Sequence, residues 1–121
     1  GDQIKVDRVV CGLDCLQVIR PDTVIAQMEG SIIMGLSAAL IGNITLTGGR
    51  VDQRNFNDAR MMALAECPEI EVKLLPQGGR PGGVGEPGLP PVAAALANAV
   101  FDATGQRFRS LPLSQHGFVS V

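Results

Sequence analysis

A glycine- and proline-rich stretch at residues 76–91 constrains the fold of this chain more than any other feature. It holds 6 Gly and 5 Pro in 16 positions. Proline lacks a backbone N–H and glycine weakens helices and strands, so the stretch predicts irregular backbone. Composition alone leaves both a flexible linker and a tightly shaped loop open. Because apolar segments flank the stretch on both sides, we favour a loop within one domain.

Two segments, one before and one after this loop, have the pattern of helices. In residues 22–40, apolar side chains recur every three or four positions along one face. They are Ile25, Met28, Ile32, Leu36 and Ala39. Residues 92–104 are rich in alanine, follow two prolines and end at Gly105, which marks both helix boundaries. Since only Asn98 and Asp102 are strongly polar there, we expect this second helix to be buried on most sides.

Extended segments account for much of the remaining chain. Residues 3–13 and 69–75 alternate apolar and polar side chains, in part or throughout, as half-buried strands do. Residues 43–47 and 50–53 predict a hairpin around Gly48-Gly49.

The order of these elements indicates the fold class. Residues 55–67 fit either a short helical turn or an extended crossing. With that segment included, the order is β-α-β-β-short element-β-α, which predicts an α+β fold. We expect a mixed sheet packed against two helices, in a single domain at residues 1–121.

Composition excludes some functions. Charged residues make up 18% of the 121 residues, the net charge is −2 at pH 7, and there is no basic block, no Trp and no Tyr. Nucleic-acid binding uses basic patches and stacking aromatic side chains, so we do not expect it. We expect no membrane span, because no apolar run approaches the roughly 20 residues that one needs. Without a leader pattern, any targeting signal lies outside this chain, and the compartment, cytoplasmic or periplasmic, stays open.

Residues 83–88 fit the pattern G-x-G-x-x-G, which cradles phosphates in dinucleotide-binding domains. That pattern follows directly after a strand, whereas the predicted strand ends near residue 75. Pro87 would remove an N–H from the cradle, and Glu86 would place a negative charge beside the phosphates. We therefore do not predict a dinucleotide site.

Cys11, Cys15, Cys67 and His116 could be combined into a metal site. The Cys-x-x-x-Cys spacing is not the usual C-x₂-C, and His116 lies in a polar tail. We favour core cysteines and a surface histidine, and we predict no metal ligands in the chain.

Glu86 is the candidate for chemistry within the loop. It is the only acid between Glu71 and Asp102, and the glycines around it allow a ligand to approach the backbone. Pro87 restricts its conformation, and a carboxylate held rigidly among apolar residues can serve as a general base. The alternative is a loop acid that caps the next helix, and the residues alone favour that alternative.

The first helix carries further candidates on the face opposite Met28 and Ile32. That face consists of Gln27, Ser31, Met34 and Ala38. Gly30 and Gly35 interrupt the same helix and indicate either close approach of a partner or simple packing, of which packing is favoured. The role of Gln27 stays open at this point.

A series of short motifs runs along nearly the whole chain in a fixed order. They are residues 21–24 (PDTV), 26–30 (AQMEG), 35–40 (GLSAAL), 55–56 (NF), 68–72 (PEIEV), 82–91 (GGVGEPGLPP), 95–99 (ALANA) and 109–113 (RSLPL). Together they resemble the C-terminal part of the molybdenum-cofactor-binding subunit in the xanthine dehydrogenase and aldehyde oxidoreductase superfamily. The resemblance is closer to the large (β) subunits of the isoquinoline 1-oxidoreductase type and related bacterial aldehyde dehydrogenases.

The resemblance implies a function for the complete enzyme. It implies oxidation of an aldehyde, or hydroxylation of an N-heteroaromatic carbon, with water as the oxygen source. The implied cofactors are molybdenum–molybdopterin and, on a partner iron–sulfur subunit, [2Fe–2S] clusters. The glutamate of the V-G-E-P motif, which is the general base in that family, falls on Glu86. The glutamine that approaches the molybdenum centre falls on Gln27.

The resemblance also implies that the chain is incomplete. The family's molybdopterin-binding motifs lie in a long upstream region that this sequence lacks. We expect the C-terminal portion of a large subunit, excised or part of a split enzyme, that is inactive and binds no cofactor alone. Its partners would be the remainder of that subunit, the iron–sulfur subunit and a small aldehyde or N-heterocycle. The alternative is a non-catalytic α+β interaction module of a larger assembly.

Four residues, at three places in the chain, depart from the family pattern. Leu16-Gln17 stands where the family often has Gly after Asp-Cys, and Arg20 stands where Asn is common and could cap the helix. Ser31 replaces a frequent second Gly. These departures bear on how the chain enters the first helix.

Overall fold

The computed structural model describes residues 3–75 and 77–120, with side chains through residue 118. Strands β1 (Gln3–Ile4) and β2 (Arg8–Leu13) precede helix α1 (Pro21–Leu40), and the hairpin strands β3 (Leu46–Thr47) and β4 (Arg50–Val51) follow it. After a 3₁₀ turn (Leu64–Glu66) come β5 (Glu69–Leu74), helix α2 (Pro90–Thr104), a second 3₁₀ turn (Leu113–His116) and β6 (Val119–Ser120).

The strands of the described residues form three two-stranded ladders. β2 and β5 pair in parallel, from Arg8 opposite Glu69 to Leu13 opposite Leu74. β1 and β6 also pair in parallel, whereas β3 and β4 are antiparallel. The α+β class with two helices is confirmed. The single mixed sheet is instead three small ladders, because the strand predicted over residues 3–13 is interrupted at residues 5–7 and the hairpin strands are too short to extend the others.

The hairpin turn lies at the predicted glycines. Gly48 and Gly49 have φ of +58° and +77°. A two-residue hairpin turn of this kind needs positive φ at both positions, which glycine adopts without steric cost.

The core lies between the two helices and the inner side of the β2–β5 ladder. Ile32 and Leu36 of α1 pack with Leu96 and Val100 of α2 in one cluster. A second cluster, Leu13, Cys15, Val24 and Met28, lies where β2 meets the start of α1. Burying a side chain of this size contributes about 1.5–3 kcal/mol relative to leaving it in water.

The predicted face of α1 is largely the buried one. Met28, Ile32, Leu36 and Ala39 are buried, but Val24 takes the first buried position and Ile25 is only half-buried. The expectation that α2 is buried on most sides is wrong for the described residues. Only Val92, Leu96 and Val100 of α2 are buried, because a single face of the helix meets α1.

Within the described residues, α1 is long and apolar enough to cross a membrane by length and composition. The sequence-based expectation missed this, since it looked for an unbroken apolar run, and the longest candidate, residues 32–40, is broken by Gly35 and Ser37. The packing of α1 against α2 and β5 accounts for the apolar composition in another way, as that of a core helix.

Candidate functional site

The glycine- and proline-rich loop is held to the domain at three points. The N–H of Gly82 donates to the carbonyl of Cys15 at 2.9 Å. Val84 packs against the second apolar cluster, and Gly88 is buried against α1. These contacts fit the sequence-based preference for a loop over a linker.

Gly88 is the tightest of these contacts. A Cβ at this position would overlap the hydroxyl of Ser31 and would lie 3.0 Å from Met28 Cε and 3.2 Å from the Met28 carbonyl oxygen. Only glycine lets the loop backbone lie this close to α1. The contact fixes the end of the loop against one turn of the helix.

Glu86 lies two residues before that contact and is exposed. Its carbonyl accepts a hydrogen bond from Leu89 N at 2.9 Å, which closes a turn. A Cβ at Gly83 or Gly85 would meet no atom within 4 Å, so the space beside the Glu86 backbone is open within the described structure.

The helix-capping alternative for Glu86 is wrong in this structure. The N-cap of α2 is Leu89, and no side chain of the described residues caps the helix with a hydrogen bond. The physical reason is that α2 begins with two prolines, which have no N–H group to donate a hydrogen bond to a carboxylate.

Gln27 is exposed on α1, one residue before Met28. The loop packs on the turn that begins at Met28, so Gln27 and Glu86 are each within two residues of the contact between the helix and the loop. Among the described residues no hydrogen bond joins the two side chains.

The face of α1 that carries Gln27 is only partly as predicted. Met34 and Ala38 are exposed with Gln27, but Ser31 is buried. Ser31 is buried because Gly88 lies against it, and its hydroxyl donates to the Met28 carbonyl at 3.0 Å. The contact between Gly88 and Ser31 was not predicted from the sequence. The only sequence feature that indicates it is the glycine itself, which permits a close approach of the backbone.

The glycines of α1 differ from each other. A Cβ at Gly35 would lie 3.0 Å from Val92 Cβ and 3.1 Å from the Leu89 carbonyl oxygen, so this glycine permits the close approach of α2. A Cβ at Gly30 would meet nothing within 4 Å in the described structure. Packing therefore explains Gly35, and nothing in the structure explains Gly30.

The entry to α1 reflects two of the departures from the family pattern. Leu16 has a φ of +64°, a conformation that favours glycine, and its N–H donates to Asp14 Oδ1 at 2.9 Å. Arg20 is the N-cap residue of α1 and makes no side-chain capping bond.

The cysteines and the histidine lie in separate surroundings. Cys15 is buried, Cys11 and Cys67 are partly buried, and all three are free thiols. Burial raises the pKa of the Cys11 thiol. His116 Nε2 lies 3.0 Å from Ser110 Oγ. Across the described residues no three metal-binding side chains form a group.

The comparison with known families decides the identity. The model of the molybdopterin cofactor-binding domain matches residues 2–68, more than half of the chain. The chain belongs to this family. The matched residues include Gln27 and end before Glu86.

Two curated relatives extend this result. The beta subunit of isoquinoline 1-oxidoreductase from Brevundimonas diminuta is 41% identical over 110 residues, which are 91% of this chain and 14% of that protein. A membrane-bound aldehyde dehydrogenase (pyrroloquinoline-quinone) from Gluconacetobacter polyoxogenes is 37% identical over 120 residues, 92% of this chain and 16% of that protein. The chain thus spans only 14% and 16% of the lengths of these two relatives. The molybdopterin-binding resemblance is confirmed.

A solved structure supports the fold. The crystal structure of quinoline 2-oxidoreductase from Pseudomonas putida 86 matches 90% of this chain and 15% of that chain, with a TM-score of 0.80 and 20% identity. Together with the family match, this likeness confirms the prediction that the small sheets and two helices are a fragment of the molybdopterin-binding domain.

The residues of the site fit the edge of a cofactor site. The chain offers an exposed carboxylate at Glu86, an exposed amide at Gln27 and open backbone at Gly83 and Gly85, where a bulky group can approach. One acid and one amide would suit the edge of a site whose other ligands come from outside this chain.

Proposed function

We propose that this chain is part of a molybdenum-dependent oxidoreductase and supplies the general base, Glu86, to an active site that the rest of the enzyme completes. The observation that supports this most directly is the position of the glutamate. It is exposed, it has no hydrogen-bond partner among the described side chains, and its loop is fixed against α1 by Gly82, Val84 and Gly88. A base with this placement can reach a substrate without rearrangement of the domain.

In the proposed reaction, water supplies the oxygen and the substrate C–H carbon is oxidised, so that two electrons and two protons leave for each oxygen inserted. The molybdenum–molybdopterin cofactor supplies the two-electron oxidation when it is bound. Glu86 accepts a proton from the oxygen that attacks carbon. Gln27 donates its amide N–H groups towards the cofactor and helps to orient it. General bases of this type contribute about 10²–10⁴-fold in rate.

The proposed substrates are aldehydes or N-heteroaromatic compounds. This class follows from the names of the two relatives, one acting on isoquinoline and one on an aldehyde. The electrons would pass to [2Fe–2S] clusters on a partner iron–sulfur subunit. The remainder of the molybdenum-binding subunit would provide most of the contacts to the cofactor.

The proposal is tested on the assembled enzyme, meaning the native-length subunit purified with its partners. Its molybdenum content, pterin fluorescence and oxidation of aldehydes and N-heterocycles would be measured beside the 121-residue chain alone. We expect molybdenum and activity only in the assembled enzyme. Tight cofactor binding by the chain alone would contradict the incomplete site, and a bound quinone without molybdenum would contradict molybdenum chemistry.

A non-catalytic interaction module remains the second candidate function. Exposed apolar side chains favour it, since Phe56 is 96% exposed and Leu64 is 90% exposed. This candidate predicts that the assembly forms but contains no molybdenum, and that substitution of Glu86 changes nothing measurable.

A further inference from the structure

An open apolar groove of about 980 Å³ lies between β2 and α2. Residues 8–12 of β2 line it consecutively, and no residue of β5 does, so the groove opens at the edge of β2 that faces away from β5. The opposite wall is a stripe of α2 four residues apart, formed by Pro91, Ala95, Ala99 and Ala103. All four are exposed.

The backbone of β2 presents hydrogen-bonding groups to this groove. In a parallel ladder, alternate residues direct their N–H and C=O groups to the neighbouring strand. The carbonyls of Asp7 and Leu13 accept bonds from Glu69 N at 3.0 Å and Leu75 N at 2.8 Å, so the odd-numbered residues of β2 face β5. The N–H groups of Val10 and Gly12 therefore face the groove. Nothing in residues 3–75 and 77–120 accepts a hydrogen bond from them.

The charges at the rim indicate an uncharged occupant. The charged residues that line the groove are Lys5, Asp7 and Arg8. Lys5 pairs with Asp7 at 3.2 Å, and Arg8 pairs with Glu71 outside the groove. These charges already have partners of opposite sign, whereas the alanine stripe offers an apolar surface on which an apolar side chain can pack.

We propose that an apolar β-strand, contributed by the part of the molybdenum-binding subunit outside these residues, adds to the free edge of β2 and fills this groove. The proposal rests on the proposed function only in that the chain works within a longer subunit. The isoquinoline 1-oxidoreductase relative has 86% of its length outside the matched region, since the chain covers 14% of it. A two-stranded parallel ladder is seldom stable without further strands or cover. The added strand would also cover the exposed side of α2.

Hydrogen exchange in the assembled enzyme tests the proposal at single-residue resolution. Val9 and Cys11 face β5 and serve as internal controls for Val10 and Gly12. If a strand pairs with the free edge, all four amides exchange slowly, within about 10-fold of one another. If the N–H groups of Val10 and Gly12 exchange more than about 100-fold faster than their neighbours, the edge is free and the proposal is wrong.

A charge placed in the groove gives a second test. Ala99→Glu should release the strand and raise the exchange of Val10 and Gly12 by about 100-fold or more. Ala94→Glu is the matched control, because Ala94 is exposed on the same helix and does not line the groove. If both variants keep all four amides protected, the alanine stripe does not pack against the added strand, which contradicts the proposal. If Ala99→Glu does not fold, the exchange pattern of the unmodified enzyme still shows whether a strand pairs with the free edge of β2.

A photo-crosslinking residue at position 99 identifies the occupant. Crosslinks to a segment outside residues 1–121 support the proposal. Crosslinks to a second copy of this chain, or none at all, overturn it. These readouts are independent of turnover, so they can succeed or fail separately from the assignment of Glu86.

Discussion

Leu16 adopts a backbone conformation that glycine would adopt more easily. Its φ of +64° lies in the left-handed region, where residues with a Cβ are less stable by about 1–2 kcal/mol. The position coincides with a departure from the family pattern, in which glycine is frequent near this point. The sequence therefore marked the position, but only the structure shows that Leu16 itself has the positive φ.

Leu16→Gly should raise the free energy of unfolding by up to about 1 kcal/mol, because relief of this strain exceeds the added entropy of the unfolded chain. Chemical denaturation of the two proteins measures the difference. Leu16→Ala is the control, since it shortens the same side chain but keeps the Cβ. A glycine variant that is less stable than the alanine variant would show that the conformation carries no strain, because only the added entropy of the unfolded chain would then remain.

Cys11 should react slowly with alkylating reagents. Burial raises the pKa of its thiol, so less thiolate is present at any pH below that pKa. The rate of carboxamidomethylation, followed by mass spectrometry from pH 7 to about 10, should rise at a higher pH than for an unstructured cysteine peptide. Because the folded state favours the neutral thiol, the pKa of Cys11 is higher in the folded than in the unfolded protein. The stabilisation that results is fully present below the pKa of the unfolded state and is lost as the pH rises through the pKa of the folded state. Reaction as fast as that of the peptide would contradict the burial.

At the scale of elements, the helices were predicted closely and the strands less so. Residues 22–40 and 92–104 correspond to Pro21–Leu40 and Pro90–Thr104. Proline, glycine and apolar spacing are local signals, which is why they locate helix ends. The break at residues 5–7 and the exposure of α2 depend on which strands pair and on what covers the helix. Local pattern contains neither kind of information.

Gly88→Ala tests how the loop is held. The new methyl group would overlap Ser31 and press on the Met28 backbone, which should lower the free energy of unfolding by about 1–3 kcal/mol. Gly83→Ala is the matched control in the same loop, because a Cβ there meets nothing within 4 Å. Urea denaturation compares the two variants, and hydrogen exchange at residues 82–88 shows whether the loop detaches.

Equal loss of stability in both glycine variants would mean that the loop backbone resists a side chain at either position, so that the contact between Gly88 and α1 would not explain the effect. An unchanged Gly88→Ala variant would mean that the loop is not seated on the helix in solution. Either result would remove the physical basis for a rigidly placed Glu86.

At the scale of the whole molecule, the family could be identified from the order of its motifs, and the comparisons confirm it. The candidate site could be predicted only in part. The residues alone favoured a helix cap at Glu86, and the resemblance implied a base. The two prolines at the start of α2 explain structurally why the cap does not form. In the proposed function the group that approaches Glu86 would come from outside this chain, so no pattern within the sequence could describe it.

Glu71 provides a control for the catalytic assignment. Its carboxylate pairs with Arg8 and lies 3.3 Å from Lys73 Nζ on the β2–β5 ladder. The hydrogen bonds from Arg8 and Lys73 hold the pKa of Glu71 below its usual range. Exposed ion pairs of this kind contribute little to stability, so Glu71→Gln should leave both folding and turnover near normal.

The most direct test of the account is the turnover of the assembled enzyme with Glu86→Gln, measured beside Glu71→Gln and normalised to molybdenum content. Glutamine keeps the size of the side chain but cannot accept the proton. The account predicts that Glu86→Gln retains the cofactor and loses about 10²–10⁴-fold in rate, whereas Glu71→Gln stays near normal. A Glu86→Gln enzyme with a full complement of cofactor and most of its activity would contradict the assignment of Glu86 as the base.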